Sequence, residues 1–455
     1  MNVLIEDHLE TISTPANLRI NDQINAFRAE CAKSGCVRPY HHFAFGESPF
    51  SPPPTVVEAL AANAAQHSYL PTGGMVALRD RIAEYYRSHF DLDCDGSQVV
   101  VGPGSKEMLS ITLAVLQGAV IVPTPSWVSY LPQAKILKKE VVGLRVSREE
   151  GFKLTPDLLS RGLDEAQSDQ KILVLNHPNN PTGAIYTEGE LKDIAAVCRK
   201  HDVLVISDEI YAQTTFEMNQ FTSMGKVFPE GTIITGGLSK DRSCGGYRLG
   251  VAVYPKEPKE LTSNVLKVAG STYSCVAAPI QYAAMEAYSG NEQVETHIRA
   301  CTKIHALAGR KTSALLSEIE GVQTTIPSGA FYLYVDFNEQ REQFEKLGFE
   351  TCADFCENLL TQEHTALLPG SALLLPENDF SVRLSYVDYD GDTALAKWRK
   401  TPPTTAGEED AFVEDNFPLM TQGVASIGRY LEAVRQGKQP EHSDRPQWYS
   451  KNASE

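Results

Sequence analysis

Four short segments concentrate residues able to do chemistry. Asn176-His-Pro-Asn-Asn-Pro-Thr-Gly183 is polar and turn-forming. Ser207-Asp-Glu-Ile-Tyr211 sets a carboxylate three residues ahead of a phenol. Gly237-Leu-Ser-Lys240 is followed by Gly245-Gly-Tyr-Arg-Leu-Gly250, and Arg383 lies within Ser381-Val-Arg-Leu-Ser385. Together they offer an amine for nucleophilic and acid–base work, a carboxylate, a phenol, and guanidinium groups for a small anion. Each alone is ordinary. A strand-end aspartate more often caps a helix, and a lone lysine is usually solvated. Their order and spacing carry the information.

The elements around them alternate between strand and helix. Gln98–Gly102 reads as a short buried strand, followed by helical periodicity over Ser105–Leu116. Ala119–Val122 is apolar again, and Ser126–Lys135 can be a helix. Lys171–Asn176 (KILVLN) and Val203–Asp208 (VLVISD) read as strands flanking an amphipathic helix over Glu188–His201. Thr232–Gly236 and Leu249–Tyr254 add two more strands. Such alternation predicts an α/β fold, a mostly parallel sheet covered by helices on both faces. Ligands in such sheets sit at the carboxyl ends of the strands, where the polar segments fall.

The last third reads as a smaller α+β unit. A long helix is expected over Asn291–Glu318, strands at Phe331–Asp336 and Phe380–Tyr386, and a helix near Cys352–Leu360. Trp398–Phe417, rich in Pro, Thr and acidic residues, reads as a long surface loop. Helical character resumes over Asp415–Gln436, and the polar tail after Gly437 reads as frayed. The domain expectation is a large domain over 66–305 and a small domain over 306–455. Residues 1–65 form an N-terminal segment that contributes part of the small domain.

Composition narrows the partners. The chain has 455 residues, 41 Lys and Arg against 58 Asp and Glu, and a formal charge of −17. An acidic surface argues against nucleic acid or an anionic membrane as the main partner. It still permits a local basic pocket. The N-terminus lacks signal-peptide character, and the apolar stretch Leu109–Val122 is too short to span a bilayer. Nine scattered cysteines without CxxC spacing read as reduced thiols in a cytoplasmic protein. The eleven histidines show no HxxxH or HExxH spacing, so no metal site is indicated.

In order and spacing, the four segments resemble the class I/II aminotransferases, enzymes of fold type I that depend on pyridoxal 5′-phosphate (PLP). The resemblance runs from about Phe43 to Tyr386. It rests on the Asn-Pro-Thr-Gly motif, the Asp208/Tyr211 pair and the Ser239-Lys240…Arg248-x-Gly250 pattern.

The resemblance implies a role for each position. PLP carries an aldehyde, and Lys240 matches the lysine that bonds it and later moves the substrate α-proton. Asp208 matches the carboxylate against the pyridine nitrogen. Tyr211 and Asn180 match the groups on the phenolic oxygen. Gly104, Ser105 and Lys106 match the phosphate-binding turn at a helix N-terminus, with Ser239 and Arg248 as further phosphate contacts. Gly237 stands where several branches have Ser or Thr, so that hydroxyl contact does not carry over. Trp127 matches the aromatic residue stacked on the cofactor ring. Tyr69 matches a tyrosine reaching the phosphate of the neighbouring subunit, which implies a homodimer. Arg383 matches the clamp on the substrate α-carboxylate, and Gly46 the N-terminal loop that closes over it.

The implied activity is ping-pong transfer of an amino group from an L-amino acid to a 2-oxo acid. The same constellation also serves β-lyases, decarboxylases and oxidases. A regulatory protein using PLP as a sensor is disfavoured, because only about 42 residues precede the Phe43 segment. For the side chain, one aspartate aminotransferase branch uses an arginine that here aligns with Gly270. Another uses a lysine in the phosphate turn, where this chain has Lys106. An acidic donor, aspartate or glutamate, is therefore expected. Asp241 and Arg242 replace the small or aromatic residues usual after the lysine and could alter the pocket.

Overall fold

A computed structural model describes residues 6–10, 12, 16–34, 39–217 and 221–438. The expected frayed tail lies almost wholly outside the described residues. The strands, in chain order, are β1 (His41–His42), β2 (Val99–Gly102), β3 (Ala119–Thr124), β4 (Val141–Arg145), β5 (Lys171–Asn176), β6 (Val203–Asp208) and β7 (Thr232–Gly237). They continue with β8 (Gly250–Val253), β9 (Gln323–Thr324), β10 (Tyr332–Asp336), β11 (Thr365–Ala366), β12 (Leu368–Pro369) and β13 (Ser381–Ser385).

Seven strands form one sheet in the order β2-β8-β7-β6-β5-β3-β4. All its pairings are parallel except those of β8, which runs antiparallel to both neighbours. β5 and β6 are buried on both faces, which is why each reads as a continuous apolar run rather than an alternation. The helix between them, Glu188–Lys200, starts at a Thr187/Glu190 capping box and ends on Arg199 and Lys200. Both ends therefore complement the helix dipole. The α/β architecture expected from the sequence is the one observed.

The C-terminal part builds a second sheet, β12-β13-β10-β9, with antiparallel pairings. β1 pairs with β11 in parallel, so the N-terminal segment is bound into this part. Phe331, Leu333, Phe344, Phe355 and Leu384 fill its core. Helix Glu292–Ser317 joins the two parts. Val294 and Ile298 pack in the core of the large sheet, whereas Ile304, Leu307 and Leu316 pack in the second core. The expected boundary at 305–306 falls inside this helix.

Several boundaries differ from the sequence reading. Residues 398–417 are not a long surface loop. They complete helix Gly391–Lys400 and form helix Ala406–Asn416. Trp398 meets Phe412 edge-on at 5.6 Å, which pins the two helices together. The next helix begins at Pro418, not Asp415. The helix expected over Ser126–Lys135 starts only at Tyr130, because the Ser126 N–H donates to the Leu373 carbonyl. Among the described residues, no helix is long and apolar enough to cross a membrane.

Candidate active site

A cavity of about 320 Å³ opens at the carboxyl ends of β5, β6 and β7. Of the residues that match a cofactor or substrate position, all but Gly104 and Tyr69 line it. Gly104 lies just behind, against Arg248. Tyr69 is 91% exposed and turned to solvent in this single chain. Asp241 and Arg242 do not line the cavity: their side chains are buried on the opposite face of their loop.

The geometry of the turn ahead of Ser105 follows from its glycines. Gly104 has φ +96° and precedes helix Ser105–Val115, whose first residues, Ser105 and Lys106, line the cavity. A Cβ at Gly104 would run into the Arg248 guanidinium, and one at Gly250 into the Gly104–Ser105 peptide. Arg248 itself sits at φ +51° and donates to the Gly245 carbonyl at 2.8 Å and the Pro103 carbonyl at 3.4 Å.

Asp208 ends β6 and is buried. Its Oδ2 accepts a hydrogen bond from Tyr130 at 2.7 Å. Burial pushes its pKa up to about 6, against the pull of the Tyr130 bond and of Lys240. The Asn176 side chain crosses from β5 to bond the Asp208 carbonyl at 2.9 Å, and its Oδ1 receives the Asn180 N–H at 2.6 Å. The ends of β5 and β6 are thereby locked together.

The Lys240 Nζ donates to the Gly46 carbonyl at 2.8 Å and lies 5.5 Å from the centre of the Phe331 ring. The Lys106 Nζ lies 5.2 Å over the Trp127 ring. Burial lowers the Lys106 pKa, with the charges of Arg248 and Lys240 adding to the effect. Arg383 lies in β13 of the second sheet and is buried. It donates to the Asn180 Oδ1 at 3.3 Å and the Ala44 carbonyl at 2.7 Å, and stacks 4.7 Å from the Tyr332 ring. Its Nε is buried and has no hydrogen-bond partner among the described residues.

The cavity thus gathers four cations in a chain of net charge −17. Lys106, Lys240, Arg248 and Arg383 meet carbonyls, an amide and aromatic rings, and among the described residues none of them forms an ion pair with a carboxylate. Such a site suits a ligand set carrying more than one anionic group. PLP fits it. The helix N-terminus and Arg248 suit a phosphate, the buried Asp208 suits a protonated ring nitrogen, and the unpartnered Arg383 Nε suits a substrate carboxylate.

Three residues of the site went unassigned in the sequence. Asn176 opens the first polar segment but was not given a role. Tyr130 lies in the Trp127 segment, yet its contact with Asp208 depends on where helix Tyr130–Ile136 begins. Tyr332, in the Phe331–Asp336 strand, carries no motif; only the docking of the second sheet brings it to Tyr211.

The sequence matches the description "Aminotransferase class I and II" over residues 39–396. It is 34% identical over 349 residues to an aspartate aminotransferase of Bacillus subtilis, covering 75% of this chain and 85% of that protein. It is equally 34% identical over 327 residues to an asparagine–oxo-acid transaminase of Streptococcus mutans, covering 70% of this chain and 79% of the relative. The fold superimposes on Thermus thermophilus aspartate aminotransferase, solved with maleate, with a TM-score of 0.76 and 26% identity. That match covers 94% of this chain and all of the other. A chain with this cavity at the ends of this sheet, and with these relatives, belongs to the class I and II aminotransferases and is a PLP-dependent transaminase.

Proposed function

We propose that this enzyme takes the amino group from an acidic L-amino acid, aspartate or glutamate, and passes it to a 2-oxo acid by a ping-pong mechanism. When bound, PLP supplies an electron-accepting ring that can hold an amino group between two half-reactions. In this reading Lys240 holds the cofactor covalently and then carries the proton removed from the substrate Cα. Asp208 keeps the ring nitrogen protonated. Asn180 and Tyr211 bond the phenolic oxygen, and Trp127 covers the ring. Gly104, Ser105 and Lys106, through the backbone amides of the helix N-terminus, hold the phosphate together with Ser239 and Arg248, which leaves the Lys106 side chain to the substrate. Arg383 and the Gly46 loop hold the substrate α-carboxylate.

The observation that carries the acidic substrate is the position of Lys106. It lines the same cavity as Arg383, so two cations face the space of one amino acid. The names of the Bacillus and Thermus relatives agree with that reading. We read the exposed Tyr69 as completing the phosphate site of a second copy in a homodimer. We place the enzyme in the cytoplasm, and keep 66–305 and 306–455 as its two domains, with 1–65 bridging to the smaller one.

The test is to load the protein with PLP, add single amino acids, and follow the cofactor absorption band and the 2-oxo acid released. L-aspartate or L-glutamate should discharge the band. Lys106→Met should raise KM for those donors roughly 10- to 100-fold, the loss expected for a hydrogen bond to a charged group, and leave aromatic donors unchanged. Discharge by aromatic or basic donors alone would overturn the acidic assignment. Lys240→Ala should lose transamination altogether, and near-normal turnover there would remove the central role of Lys240.

A further inference from the structure

On the face of the Lys240 loop turned away from the cavity lies a second group of charges that amino-group chemistry does not use. Residues 238–249 form a closed loop between β7 and β8. The Leu238 N–H donates to the Leu249 carbonyl at 3.2 Å, and the Cys244 N–H donates to the Leu238 carbonyl at 3.0 Å. Ser239 and Lys240 face the cavity, whereas Asp241 and Arg242 enter the core, with Arg242 only 1% exposed.

Arg242 is held on several sides. Its guanidinium lies 4.8 Å from the ring centres of both Tyr85 and Tyr288. Nε donates to the Ala287 carbonyl at 2.7 Å, at the end of helix Ala278–Ala287, where carbonyls present the negative pole of the helix. Nη1 donates to the Asp241 Oδ2 at 2.6 Å.

Three buried polar atoms nearby have no hydrogen-bond partner among the described residues: Arg242 Nη2, Asp241 Oδ1 and Glu209 Oε2. All three residues line one small chamber of about 20 Å³. That volume admits one water, and a water needs two to four polar partners. Glu209 directly follows Asp208 at the end of β6. Its other oxygen, Oε1, is fixed by Ser207, Ser223 and the Met224 N–H at 2.8, 2.9 and 3.0 Å. The chamber therefore lies between the loop that carries Lys240 and the strand end that carries Asp208.

We propose that Arg242 is a positioning residue. Together with Asp241 and Glu209 around one ordered water, it braces the Lys240 loop against the end of β6. A buried ion pair is a poor source of stability, because desolvation offsets most of its attraction. A planar, multiply bonded guanidinium is a good source of fixed geometry. Misplacing a reacting group by about 1 Å can cost roughly 100-fold in rate. The inference rests on the roles proposed above for Lys240 and Asp208, and is independent of which amino acid is the donor.

The test uses PLP-loaded enzyme and three readouts: visible circular dichroism of the bound cofactor, kcat against KM, and thermal unfolding. Asp241→Asn with Arg242→Met removes both charges and avoids leaving a buried carboxylate unpaired. This double variant should weaken the visible dichroism and lower kcat roughly 10- to 100-fold, with KM little changed. Glu209→Gln should act in the same direction, and adding it to the double variant should lower kcat no further. Arg242→Lys should recover part of the loss. A crystal structure of the wild type should show one water among the three groups.

Wild-type dichroism and kcat in the double variant would overturn the proposal, as would fully additive effects of Glu209→Gln. If the double variant does not fold, Arg242→Lys decides alone, and wild-type spectra and kcat in it would reject the brace. Failure of the Lys240 assignment reads out separately, as turnover by Lys240→Ala.

Discussion

The phenolic oxygens of Tyr211 and Tyr332 lie 2.8 Å apart, the one just after β6 of the large sheet and the other at the start of β10 of the second. The bond joins the two sheets at the cavity. Burial, reinforced by the Tyr332 oxygen, pushes the Tyr211 phenol well above its usual pKa, so it stays protonated at neutral pH. The Tyr332 ring also faces Arg383. Tyr332→Phe keeps that ring and removes only the hydroxyl. It should lower kcat/KM about 3- to 10-fold, the equivalent of one ordinary hydrogen bond. Steady-state kinetics check this, and unchanged kcat/KM would mean the bond is idle in catalysis.

Gly46 is close-packed from above. A Cβ there would overlap the Tyr332 hydroxyl and ring, and the Gly46 carbonyl is the acceptor for Lys240. Gly46→Ala must displace either the loop or Tyr332. Overpacking of this kind typically costs about 1–3 kcal/mol. The strain falls where a substrate carboxylate is expected, so KM for the amino donor should rise about 10-fold or more while PLP stays bound. Substrate titrations of the variant would show it, and an unaltered KM would place the carboxylate elsewhere.

What was legible in the sequence follows from what local chemistry can dictate. β5 and β6 were readable because strands buried on both faces are unbroken apolar runs, and their polar ends mark the site. Lys240 and Arg248 were readable because one short loop fixes their spacing. Arg242 was not. Which way a loop side chain turns depends on the Tyr85 and Tyr288 rings, far away in sequence. Helix Ala406–Asn416 was misread for a different reason. It buries only Phe412, Val413 and Asn416, so it has little apolar periodicity, and Pro402 and Pro403 just before it suggest a loop.

That helix is started by a capping box between Thr405 and Glu408. The Thr405 side chain receives the Glu408 N–H, and Glu408 bonds back to the Thr405 N–H at 3.0 Å. Thr405→Ala should therefore destabilise the protein by about 1 kcal/mol. Because the helix lies against the second core and away from the cavity, kcat and KM should not move. Urea unfolding together with kinetics tests both halves, and a change in KM without a change in stability would contradict the assignment.

The cofactor-free protein should carry a pH signature from Asp208. Its pKa is raised to about 6 in the fold, from an ordinary value near 3.8, chiefly by burial. A raised carboxyl pKa means that the folded state binds the proton more tightly than the unfolded chain does. Its stabilising contribution is present below about pH 4, is lost as pH rises towards 6, and stays lost above that. Glu209, raised to about 7, acts in the same direction and is common to wild type and variant. Asp208→Asn keeps an acceptor for Tyr130 but cannot ionise. The stability of the variant relative to wild type should grow by about 1 kcal/mol between pH 5 and pH 7 and then level off. Urea unfolding of both apoproteins across that range measures it. A difference that stays constant with pH would show that Asp208 is not held in the low-dielectric setting that burial at the end of β6 implies.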